Sequence, residues 1–321
     1  TDVDGRAYAT WTLGPTLGNQ FLTASSSGLT PVTIQATATP SVGQRFTWNG
    51  TVDASWTNPA NWTPSGVPGA QDTAYVRSGP FLPGILAPTS LASLAVGGCF
   101  SMRLTSTLTI SANIADSSSA CLRAPAAKAH SIGQFADTSG IVILTGNGTM
   151  MGDLQADLLI TGGTHTLIGG VSVSKSLVVS GTARLVLNGS SLNVSNSLTT
   201  SGSGTIEMTN VNDFLIVNGN ALFGGGSETG LLTAGQLWAN GDFSQAGSST
   251  AFAASGTHKT VLPSDGAQNI AFANPATSFF QDLTVDASTQ MVLSTNVTAK
   301  GTLAVSSCCA TFSSAAGNLL T

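Results

Sequence analysis

The 321-residue sequence predicts an all-β fold, most of it a parallel β-helix (β-solenoid) of about 21 residues per coil. Three observations lead there. A seven-residue pattern recurs at near-regular distances, apolar residues alternate in short runs between Gly, Ser and Asn, and a helical period of 3.6 is absent. Charged residues make up only 8% of the chain against roughly 25% in ordinary soluble domains, too few to coat the outer faces of helices.

The recurring pattern is apolar, any, apolar, any, any, polar or small, apolar. It reads Leu108-Thr-Ile-Ser-Ala-Asn-Ile114, Val171-Ser-Val-Ser-Lys-Ser-Leu177, Leu192-Asn-Val-Ser-Asn-Ser-Leu198, Leu215-Ile-Val-Asn-Gly-Asn-Ala221, Leu237-Trp-Ala-Asn-Gly-Asp-Phe243 and Val297-Thr-Ala-Lys-Gly-Thr-Leu303. Successive starts lie 63, 21, 23, 22 and 60 residues apart, which reads as three periods, one, one, one and three. Two neighbouring copies align beyond the pattern, with Val171 over Leu192, Leu177 over Leu198, Gly181 over Gly202 and Leu185 over Ile206.

Each period holds three short strands whose apolar sides cannot be buried within one coil, so coils must stack on one another. A pair of antiparallel sandwiches also has short alternating strands, but it keeps no fixed period over so many of them. A left-handed hexapeptide helix fits less well, because the period is loose and the turns vary in length.

The first 40 residues read differently. Arg6-Ala-Tyr-Ala-Thr-Trp11-Thr-Leu-Gly14, Gln20-Phe-Leu-Thr-Ala24 and Pro31-Val-Thr-Ile-Gln-Ala-Thr37 resemble the closing strands of an invasin-type bacterial Ig-like domain. The resemblance implies a partial β-sandwich over 1–40, with its opening strands supplied by upstream sequence or by a neighbouring chain through β-augmentation.

The segment 41–80 carries Phe46-Thr-Trp48-Asn-Gly50, Trp56, Ala60-Asn61-Trp62, Gly66-Val-Pro68 and Asp72-Thr-Ala-Tyr-Val76, and is similar to the opening found ahead of β-helical passengers in autotransporter-like surface adhesins. Its aromatics would cap the open apolar end of a solenoid occupying 81–321. Phe280-Gln-Asp282-Leu-Thr-Val285 and Gly301-Thr-Leu303 resemble coils of the same surface proteins. What these likenesses imply is a bacterial extracellular or cell-surface structural role; they carry no functional residues over to this chain.

Candidate chemistry is sparse, and the expectation is a protein that is not an enzyme and needs no cofactor or metal. His130, His165 and His258 are far apart in sequence, each without a second ligand at metal spacing, and are expected at turns or on the surface. Only two glutamates exist, Glu207 and Glu228. Asp265 and Asp286 differ by 21 and would stack on adjacent coils beside Asp282, but Asp265-Gly266 is an ordinary turn dipeptide.

Cys99 and Cys121 lie one period apart, so the stacking places them on neighbouring coils within disulfide reach. Cys308 and Cys309 are adjacent; a strained bond to each other, a free buried thiol and a bond to another chain stay open. No Lys/Arg cluster relieves the net charge of −5, which argues against nucleic acid, and no apolar run is long enough for a membrane span.

The leading expectation is therefore an extracellular structural protein, a surface adhesin or a subunit of an assembled fibre, with self-association through the incomplete Ig-like segment and an end at Leu319-Leu-Thr321 that has no charged cap. A glycan-binding module using Trp48, Trp56 and Trp62 is the second reading. A β-helical polysaccharide-degrading enzyme relying on Asp282 and Asp286 is the third.

Overall fold

The structure, a computed structural model, describes residues 10–12, 18–38, 43–76, 79–96, 102–116, 135–136, 141–263, 266–285, 290–305, 311–314 and 317–321. It divides into two compact units, Thr1–Gln44 and Arg45–Thr321.

In the first unit, β1 (Gly18–Ala24) and β2 (Val32–Ala38) pair antiparallel from Gly18↔Ala38 to Ala24↔Val32. Strand alternation puts Leu22, Val32 and Ile34 on one side of the hairpin and Phe21 with Gln35 on the other. That is a piece of sheet, consistent with part of a sandwich, with an apolar side still open.

The second unit is a parallel β-solenoid. Its coils are read most easily between Val171 and Ser191, where Val171–Val173 lies on a first face, Leu177–Val179 on a second and Arg184–Val186 on a third. The next coil repeats this in register, with Val171↔Leu192, Leu177↔Leu198 and Leu185↔Ile206 all parallel partners. The second face builds an 11-stranded sheet, and the first face belongs to a 15-stranded one. Ten spacings of about 4.8 Å make that 11-stranded stack roughly 50 Å long.

Inside, residues of one station pile into columns. Val171, Leu192, Leu215 and Leu237 follow one another on the first face, and Leu177, Leu198, Ala221 and Phe243 on the second, all buried. Between 221 and 280 the filling turns aromatic: Phe223 stacks on Phe243 at 5.6 Å, and Phe252, Phe272 and Phe280 surround them. The second-to-third-face corner needs glycine. Gly181 sits at φ 61°, and a Cβ there would run into the Thr161 carbonyl of the coil beneath.

Two sequence expectations change. The pattern copies beginning at Leu108 and Val297 do not occupy the station of Val171: Leu108 pairs with Val142 in the second-face column, and Val297 bridges to Leu320 while Leu303 pairs with Leu283 on the first face. A strand, tight turn and strand have the same seven-residue spacing at every corner, so the pattern marks a corner without saying which. Among the described residues the longest step in the period is where Ile114 pairs with Met150, 36 residues on; residues 117–134 lie outside the described set.

The aromatic segment 41–80 does not stand apart from the solenoid. Arg45–Trp48 and Thr73–Val76 are already strands of the first-face sheet, and Trp62–Thr63 folds back antiparallel against Trp48 and Thr47.

Candidate functional site

The aromatic end of the solenoid is a closed cluster. Trp48, Trp56 and Trp62 are 1%, 2% and 2% exposed, their ring centroids 4.6 to 6.5 Å apart, with Phe46 edge-on to Trp62. Trp62 Nε1 donates to the Trp56 carbonyl at 2.8 Å and Trp48 Nε1 to the Phe81 carbonyl at 2.9 Å. Glycan stacking needs an open ring face, and these rings have none; they fill the first coils.

The loop between Trp48 and Trp62 is tied by Asn61, which is fully buried. Its Oδ1 accepts from the backbone N–H of Val52 and Asp53, while its Nδ2 donates to Asp53 Oδ1 at 2.6 Å and to the Ser55 carbonyl at 3.0 Å. Asp53 also accepts from Asn58 Nδ2 and the Ser55 N–H; the Asn58 bond chiefly, with Ser55 and Asn61, holds its carboxyl below the ordinary value.

The remaining chemistry-bearing residues divide sharply. Cys99, Cys121, Cys308, Cys309, His130, Asp265 and Asp286 lie outside the described residues. His165 and His258, expected at turns or on the surface, are both fully buried. His165 follows the column of Leu185, and burial lowers its basicity; one ring nitrogen meets the Gly162 carbonyl at 3.2 Å. His258 Nδ1 meets the Ala234 carbonyl at 2.9 Å, Nε2 is buried without a partner, and burial holds its pKa below the ordinary imidazole value. Both histidines are core residues because the period, which carries no information on side-chain polarity, assigned their positions to the inside.

Asp282 pairs across the ladder with Lys259, and its Oδ1 accepts the Thr302 N–H at 2.7 Å, so it acts as a turn clamp. The two glutamates sit on neighbouring coils but face opposite ways. Glu207 forms an ion pair with Arg184, and Glu228, fully buried on the following coil, accepts the Ile206 N–H at 2.9 Å through Oε1. Oε2 of Glu228 has no partner, and burial raises its pKa well above the ordinary value, against the pull of the Ile206 N–H and Arg184. The 21-residue spacing of Glu207 and Glu228 was the available signal, but nothing in the sequence distinguished the inward carboxyl from the outward one.

A glycosidase pair would present both carboxyls to a substrate, and Glu228 is sealed from it. Among the described residues no three His, Cys, Asp or Glu side chains gather as a metal site, and no helix is long and apolar enough to cross a membrane. Compared with known proteins, the chain matches no family model, no curated protein and no solved structure. Its likeness to invasin-type and autotransporter-like proteins therefore rests on the quoted motifs alone.

Proposed function

We propose that the chain is a structural element of an extracellular or cell-surface protein, a stiff solenoid that displays Ser, Thr and Asn side chains, as part of an adhesin or of an assembled fibre. The observation carrying this reading is the second-face ladder, which runs from Thr89–Leu91 to Thr311–Ser314 as a single 11-stranded parallel stack. A stack of main-chain hydrogen bonds of that length resists bending and shear, which is what a stalk or fibre requires. Among the described residues, Asp53, Asp213 and Asp282 each tie a turn by accepting backbone N–H groups.

The N-terminal hairpin supplies the means of assembly. Two strands alone are marginally stable, and this pair leaves Leu22, Val32 and Ile34 at 37%, 62% and 49% exposure on one side. A partner strand or sheet laid over that side would complete a sandwich.

Sedimentation and negative-stain electron microscopy of the purified chain test both parts. The expected result is rods or fibres in which association is lost by Leu22→Asp with Ile34→Asp while the solenoid's β spectrum is kept. New reducing ends released from a polysaccharide panel, and abolished by Asp282→Asn, would instead establish the enzyme reading.

A further inference from the structure

One outward column on the first face departs from the rest of the surface. Its members pair in order as Ser172, Asn193, Ile216, Trp238, Val261, Thr284 and Ala304. They point outward because their neighbours Leu215, Val217, Leu237 and Ala239 are wholly buried. Small or polar residues occupy both ends of the column, and three large apolar ones the middle.

The adjacent outward column adds Phe214, whose ring lies edge-on to Trp238 at 5.7 Å, followed by Gln236, Lys259 and Asp282. Trp238 is held in place, its Nε1 donating to Gln236 Oε1 at 3.3 Å. Val261 is only 2% exposed although it faces out, so it lies covered beneath its neighbours, and the surface on offer is that of the partly exposed Ile216 and Trp238.

Amides line the other flank. Asn218 Nδ2 donates to Asn193 Oδ1 at 3.1 Å, and Asn240 Nδ2 to Asn218 Oδ1 at 2.9 Å. Asn240 Oδ1, last in this relay, is shielded and has no donor.

We infer that this surface, centred on Trp238 and bounded by Gln236, Lys259 and the Asn218–Asn240 amides, binds an oligosaccharide. A sugar ring offers a face of C–H bonds to lie on the indole and a rim of hydroxyls for the flanking amides, amine and carboxylate. A hydroxyl reaching Asn240, after a rotation of its amide, supplies the donor the relay lacks.

Size separates this ligand from a protein partner. Strand and coil spacings make the patch about 10 Å by about 13 Å, far below the roughly 800 Å² per partner of a stable protein interface. A single lysine beside an aspartate, in a chain of net charge −5, does not suit a nucleic acid or an anionic membrane. This site stands independently of the stalk reading, since a rod can exist with or without it.

The test is an array of neutral and acidic oligosaccharides, including glucose, N-acetylglucosamine, mannose and galactose oligomers, probed with the full chain and three variants. At least one oligosaccharide should bind, with Trp238→Ala weakening it about tenfold or more, as for loss of a central aromatic anchor. Trp238→Phe should retain most of the affinity, and Trp11→Ala all of it. Circular dichroism checks that each variant keeps the parent β spectrum. Binding to no member of the array, or equal binding by Trp238→Ala, overturns the inference.

Discussion

Single residues in this protein are governed by whether they fall inside or outside a coil, and Glu228 shows what that costs. Its Oε1 occupies the place of a strand carbonyl for the Ile206 N–H, so the buried carboxyl substitutes for a missing ladder partner. Because its folded pKa is raised, the native state holds the proton more tightly than the unfolded chain does. Glu228 therefore contributes fully at pH below the ordinary carboxylate value, and that contribution is lost as pH rises toward the folded pKa. His165 and His258 run the other way, since burial lowers both: stability is lost as pH falls from the ordinary imidazole value toward their folded pKa values. Glu228→Gln keeps the acceptor and removes the titration. Its stability relative to the parent should climb with pH above the ordinary carboxylate value, by at most about 1.4 kcal/mol per pH unit, as measured by urea denaturation across pH.

The element that controls the N-terminal end of the solenoid is the loop from Trp48 to Trp62. Asn61 satisfies four backbone or carboxylate groups from a position without solvent, and Trp62 fills the space beneath it. The glycine at 50 belongs to the same arrangement, because at φ 52° a side chain there would strike the Trp48 indole. Trp62→Ala should cost about 3 to 5 kcal/mol if the loss reaches the global transition, the range for truncating a buried aromatic. Hydrogen exchange should then accelerate first in Arg45–Trp48 and Thr73–Val76, the strands nearest the cavity. Unchanged exchange there would mean that the cluster is not what holds the first coils.

For the whole molecule, stacking makes stability a sum over neighbouring coils. A coil can then be removed if the cut respects the period. Deleting residues 171–191 brings Leu192, Leu198 and Ile206 onto the stations of Val171, Leu177 and Leu185, with similar side-chain volumes. The shortened protein should fold with a cooperative thermal transition. Deleting 171–181 alone, which moves every later strand by half a coil, should abolish that transition in the same calorimetric scan.

Sequence alone determined the all-β class, the coil length and the stacking partners between Val171 and Met208, because apolar alternation and glycine corners repeat there almost without interruption. It also placed large aromatics near residue 50 but left open whether they were a cap or a glycan surface. Only the tertiary structure showed these rings to be buried, because burial of a tryptophan depends on what the following coil covers. The same holds for the corner assignments of Leu108 and Val297, for the buried histidines, for the sealed Glu228 and for the outward-facing Trp238. Local spacing records that two strands are joined by a turn; which way their side chains point is settled only when the next coil is laid on top.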